Sequence, residues 1–159
     1  MRKDCKITVF TALALAYALQ VALGVGSGYC KGDLWPHLWF PFFHANIFHL
    51  AANILTLAML RCEVRDILPA YAVAVIASFF AVASVPTMGF SGVLYVLIGM
   101  QTGIFRGRVT LPKVWFFAFL LAGLFLPRVN GLLHIVCFAS GALIQLYRRL
   151  SYDYARAGR

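Results

Sequence analysis

Charge is the scarce commodity in this sequence. Only 12% of its 159 residues are charged, about half the share in ordinary soluble domains. Acids are scarcer still. There are five, Asp4, Asp33, Glu63, Asp66 and Asp153, and each lies outside the long apolar runs. Four cysteines, placed singly at Cys5, Cys30, Cys62 and Cys137, do not make a disulfide framework. With so few polar side chains the chain cannot cover a water-facing surface, which excludes a soluble globular domain and a disordered segment. The formal charge of +9 does not indicate a nucleic-acid partner, because the bases fall in short clusters between apolar runs.

What is abundant is apolar surface, 62% of the residues. The runs are continuous rather than alternating, so helices are expected rather than strands. Six are expected, over about 7–25, 44–60, 67–85, 89–104, 112–126 and 131–147. Pro36, Pro41, Pro86, Pro112 and Pro127 punctuate them, and Pro69 suits the first turn of the third. A span takes about 20 residues, so six leave little for loops and nothing for a soluble domain. The expectation is one all-α polytopic membrane domain over residues 1–159, a six-transmembrane-helix bundle with both termini cytoplasmic. All of the 14 Lys and Arg except Lys31 and Arg128 then fall on the inner side, as the positive-inside rule requires. The N-terminal run is kept as a helix, being long for a signal peptide and lacking an Ala-x-Ala cleavage pattern. The loop over about 26–43, with Trp35, Trp39, Phe40, Phe42 and Phe43, is suited to the headgroup region.

Polar residues inside such runs are costly and therefore informative. The second run opens HANIFHLAAN, with His49 and Asn53 one turn apart on a face and His44 further around the helix. The fourth opens GFSGVLYVLIG, where Gly89 and Gly92 flank Ser91 and Tyr95 follows four residues on. The sixth opens NGLLHIVCFASG, with His134 about one turn in and Cys137 and Gly141 following on its face. The pair Gly99 and Gly103 reads as a helix-packing notch. In the expected topology helices two, four and six run the same way, so the three polar clusters share one depth near the outer surface. A hydroxyl, a base and several hydrogen-bond donors at one depth point to nucleophilic catalysis. No acid is placed to orient the base, which leaves a Ser91–His134 dyad. A two-aspartate protease is excluded for want of buried acids, and a zinc protease for want of His-Glu-x-x-His. No metal or cofactor is expected. A haem or proton-relay role for His44, His49 and His134 is a third possibility, distinguished by a Soret band.

Together the three motifs resemble the rhomboid family of intramembrane serine proteases, through His-x-x-x-x-His-x-x-x-Asn, Gly-x-Ser-Gly-x-x-Tyr and Asn-Gly-x-x-His in that order. The resemblance implies a minimal six-helix form with Ser91 as nucleophile, His134 as general base then acid, and Tyr95 stacked on His134. It further implies an oxyanion hole of His49, Asn53 and the Ser91 amide, with His44 in support. The implied substrates are transmembrane segments of other proteins, cut near the outer side of a bacterial inner (cell) membrane, with a fifth helix rich in Phe116, Phe117, Phe119 and Phe125 as lateral gate. A rhomboid-like protein that binds membrane helices without cutting them is the alternative. Two departures carry expectations of their own. Cys137 stands where the family has Gly, which predicts a sixth helix pushed from the fourth and a lengthened Ser91–His134 contact. The first loop lacks the family's Trp-Arg pair, leaving its anchoring to Trp35 and Trp39.

Overall fold

The computed structural model describes residues 2–25, 28–30, 32, 34–81, 86–101, 111–126 and 128–157. Among them the chain is all-helical: α1 (Arg2–Leu23), α2 (Pro36–Trp39), a 3-10 turn (Phe40–Phe42), α3 (Ile47–Met59), α4 (Val64–Phe80), α5 (Ser91–Met100), α6 (Leu111–Ala122) and α7 (Gly131–Ala157). One isolated antiparallel bridge, Tyr29 to Thr87, is the only extended pairing among the described residues.

The six-span bundle is not what forms. Two helices are long and apolar enough to cross a membrane, Lys6–Leu23 within α1 and Gly131–Arg156 within α7. A third span is reached only if α2 with the 3-10 turn and α3, bent by 80° between them, count as one. The runs are apolar where expected, but the helices stop short of them. At about 1.5 Å per residue, the 10 residues of α5 rise about 15 Å, half of a hydrocarbon core about 30 Å thick. The 12 residues of α6 reach little further. Hydropathy measures the run, whereas backbone bonding ends the helix. Helix α5 ends where the Gln101 amide turns back to the Ile98 carbonyl. Helix α3 starts only at Ile47, because the Asn46 side chain accepts from the His49 amide (2.9 Å) and leaves His44 ahead of the helix. Helix α4 starts before residue 67, because Glu63 and Asp66 cap each other's backbone amides. Pro69 therefore lies inside this helix rather than in its first turn.

The core sits between α4, α5 and α7, with α5 packed most extensively on α7. Val93, Val96 and Leu97 of α5 are buried against Leu133 and Cys137 of α7 and Ala70 and Ala74 of α4. Backbones approach closely because two glycines face each other. A Cβ on Gly99 would stand 2.8 Å from the Ala142 nitrogen, and one on Gly141 2.9 Å from the Val96 carbonyl carbon. Gly99 thus meets Gly141 across the helix pair; Gly103, the other half of the expected notch, lies outside the described residues. Large apolar side chains are exposed on the outside of the assembly, among them Phe48, Met59, Phe80 and Phe125.

The two ends of the helix assembly differ. At one, Lys6 caps the end of α3 through the Ala58 (2.9 Å) and Leu60 carbonyls, and Arg148 of α7 pairs with Asp66 of α4 at 2.9 Å. At the other end lie the first turns of α3, α5 and α7. There Gln20 of α1 clamps the backbone of His44, donating to its carbonyl and accepting from its amide, each at 2.9 Å. The loop between α1 and α3 is less superficial than an interfacial belt. Trp35 and Trp39 are exposed, but Phe40 is buried, and buried His37 lies stacked between Tyr29 and Phe79, with its Nδ1 2.7 Å from the Ser78 hydroxyl.

Gly99→Ala should therefore destabilise the protein by about 1–3 kcal/mol through overpacking of α5 on α7. At Gly92 an added Cβ would meet Leu133, Ala74 and Cys137 at 3.5–3.6 Å, ordinary contact, so Gly92→Ala should be nearly neutral. Thermal unfolding in detergent compares the two. Equal midpoints would contradict the glycine contact.

Candidate active site

Ser91 is the first residue of α5, a position whose amide has no carbonyl partner within the helix. The chain reaches it through Gly89, whose φ of 118° is open to glycine and strained for other residues. The Gly89 amide donates to the Phe40 carbonyl at 2.9 Å, tying the turn before Ser91 to the 3-10 turn of the first loop.

His134 lies in the first turns of α7, and its Nε2 is 2.9 Å from the Ser91 hydroxyl. Tyr95, one turn along α5 from Ser91, stacks on the imidazole with centroids 4.5 Å apart and planes 27° apart. Ser91 is the one hydrogen-bonding partner of the His134 ring among the described residues. The lengthening expected from Cys137 does not occur. Its side chain is fully buried over Gly92, which leaves room for the sulfur, and the closest backbone approach lies further along at Gly99 and Gly141. Gly92 thus lies beside the Cys137 sulfur without crowding it, and the near contact of backbones is elsewhere.

His49 and Asn53 come to the same place from α3. A Cβ on Gly89 would lie 2.7 Å from His49 Nε2 and 3.5 Å from Asn53 Nδ2, so both side chains lie against the turn that leads into Ser91. Asn53 is buried and its Nδ2 has no hydrogen-bond partner. An orphaned buried donor costs about 1–3 kcal/mol, which suits a group held ready for a developing charge. His44 is fully buried one layer away, its ring edge-on to His49 at 5.2 Å and its Nδ1 3.3 Å from the Phe42 carbonyl. Its Nε2 also lacks a partner. A cavity of about 350 Å³ opens beside Ser91 and His134, lined also by His49, Gly89, Arg128 and Asn130 among others.

Asn130 entered the sequence reading only as part of a motif, and its role is larger than the motif suggests. Its Oδ1 accepts from the Leu133 amide at 3.0 Å, capping α7 one turn before His134. Its Nδ2 lies within reach of the Ala81 carbonyl (2.7 Å), the Tyr29 hydroxyl (3.0 Å) and the Thr87 hydroxyl (3.2 Å). One side chain therefore fixes where the His134 helix begins relative to α4 and to the Tyr29–Thr87 bridge. Burial pushes the Tyr29 phenol well above its ordinary value, so it stays neutral. Gln20 and His37 carried no sequence signal of their own, because each acts through contacts distant along the chain, and Arg128 stood out only as one of two bases expected on the outer side.

Of the gate residues, the side chains of Phe116 and Phe119 lie outside the described residues. Phe117 packs edge-on against Phe138 of α7 at 5.8 Å, and Phe125 is exposed. No three His, Cys, Asp or Glu side chains gather to hold a metal ion among the described residues.

Asn130→Ala should lower stability by about 1–2 kcal/mol through loss of the cap. Asn130→Asp keeps the acceptor for Leu133 and should recover part of that loss. Thermal midpoints of the two variants measure the difference, and equal loss in both would argue against the capping role.

No model of a known protein family matches this chain, and no curated protein matches it either.

Proposed function

We propose that the protein is a serine endopeptidase of the rhomboid kind, hydrolysing peptide bonds in the membrane-embedded segments of other proteins. The observation that carries this reading is the 2.9 Å contact between the Ser91 hydroxyl and His134 Nε2, beside two orphaned polar groups and an open cavity. In the mechanism, Ser91 Oγ attacks the scissile carbonyl carbon as its proton passes to His134 Nε2. The carbonyl oxygen becomes an oxyanion and accepts from Asn53 Nδ2, the His49 ring and the free Ser91 amide. Collapse breaks the C–N bond, and His134 returns the proton to the departing amine. Water then attacks the acyl-serine with His134 again as base, releasing the acid and restoring Ser91. Tyr95 holds the imidazole plane throughout, in place of a carboxylate.

The reading includes a site. The basic end of the helices, with Lys6 and Arg148, lies opposite the end that carries Ser91 and His134. By the charge rule for membrane proteins this asymmetry supports a dyad toward the outer side of a cell membrane, in a bacterium the inner one. Water reaches a catalytic serine more readily there than at mid-bilayer.

The test is labelling of detergent-purified protein by a fluorophosphonate, together with cleavage of a fluorogenic transmembrane peptide. Ser91→Ala should abolish both, and His134→Ala should slow cleavage about 10²–10⁴-fold. Asn53→Ala should lower kcat about 10²–10³-fold, as loss of one oxyanion donor does elsewhere, with KM little changed. If the wild type neither labels nor cleaves, or if Ser91→Ala cleaves as well as wild type, the peptidase reading is wrong and a helix-binding protein without hydrolysis takes its place.

A further inference from the structure

Arg128 is out of place. Among the described residues other bases serve the opposite end of the molecule, where Lys6, Arg65 and Arg148 are held by carbonyls or carboxylates. A base at the dyad end works against the charge asymmetry that orients a membrane protein. Its backbone is costly as well. Arg128 has a φ of 67°, the one non-glycine residue with positive φ among those described, a conformation that costs about 1–2 kcal/mol for a side chain of this kind. It stands in the short connection between α6 and α7, six residues before His134, and it lines the same cavity as Ser91 and His134. Its side chain is exposed and has no hydrogen-bond or ion-pair partner among the described residues. The residues lining that cavity include no carboxylate. A guanidinium in the same cavity as the Ser91 hydroxyl, with no acid beside it among the described residues, is free to meet an acid from elsewhere.

We propose that Arg128 is a specificity residue that binds a carboxylate of the substrate near the scissile bond, either an acidic side chain or the peptide's own terminal carboxylate. The proposal rests on the peptidase reading above and deepens it by naming a substrate class. A guanidinium suits the task because its planar donors meet both oxygens of a carboxylate at once. Arg128 takes no part in bond making. It holds the peptide in the cavity while Ser91 attacks.

The experiment uses purified full-length protein in detergent and in vesicles. It compares fluorogenic transmembrane peptides in Glu and Gln pairs, the acidic residue moved one position at a time on either side of the scissile bond. A further pair ends in a free or an amidated C-terminus. The quantity read is the ratio of kcat/KM for the charged over the neutral member within each protein variant. Wild type should favour the charged member of one pair about fivefold, the effect of a partly exposed ion pair. That ratio should fall to near one in Arg128→Gln, be partly kept in Arg128→Lys, and invert toward Lys-bearing peptides in Arg128→Glu. Preference within a Glu/Gln pair identifies a side-chain carboxylate, and preference within the terminal pair identifies a chain end. A ratio near one for every pair in a wild type that labels with fluorophosphonate overturns this proposal alone. So does a preference that Arg128→Gln leaves intact. If Arg128→Gln instead alters only the rate difference between phosphatidylglycerol and phosphatidylcholine vesicles, the guanidinium serves lipid phosphate and the proposal is overturned. A wild type that neither labels nor cleaves any peptide overturns the peptidase reading itself.

Discussion

The close crossing of α5 and α7 is the constraint from which the rest of the site follows. Gly99 and Gly141 let the two backbones meet with no side chain between them, an approach that a larger residue at either position would prevent. Once the helices meet there, their first turns are held side by side, and Ser91 and His134 come within a hydrogen bond although 43 residues separate them. Cys137 shows how local this economy is. A bulkier side chain than glycine is accommodated over Gly92 because the near contact lies elsewhere along the pair.

A second layer of constraint fixes the ends. Asn130 starts α7, Gly89 carries the turn into α5, Asn46 starts α3, and Gln20 holds the stretch ahead of it. Each caps or bends backbone, and each lies at the same end of the molecule. Ser91, His134, His49 and Asn53 therefore sit near helix ends whose backbone direction is set by specific hydrogen bonds as well as by apolar packing. The cost is a set of unsatisfied polar atoms on His44 and Asn53. Groups of that kind are expensive in a purely structural role and useful where a charge appears during a reaction.

The sequence reading failed where it treated apolar runs as helices of the same length. Helix α5 ends after ten residues because its backbone turns at Gln101, and nothing in its hydropathy marks that point. Helix α4 begins early because two acids, Glu63 and Asp66, cap one another, a pattern that hides inside what looks like a charged loop. A count of spans taken from composition was too high for this reason. The loop over about 26–43 holds a second feature that no local pattern marks. His37 looks like one polar residue among aromatics, and its burial depends on Ser78 and Phe79 of a helix about 40 residues away.

By itself the sequence determined that the protein is helical and rich in membrane-compatible surface, that carboxylates are absent from its apolar runs, and which polar residues share a face. Spacings of three and four residues report on a single helix, and a single helix obeys them wherever it lies. Hence His49 with Asn53, and Ser91 with Tyr95, were legible as pairs. Only the tertiary structure decided which helix meets which, how many helices are long enough to cross a bilayer, and which imidazole stands beside Ser91. Those outcomes depend on where backbones can approach and where helices are capped. The positions responsible, Gly99 with Gly141, Asn130 with Ala81, Arg128 with the cavity of Ser91, are joined through space and by no local period.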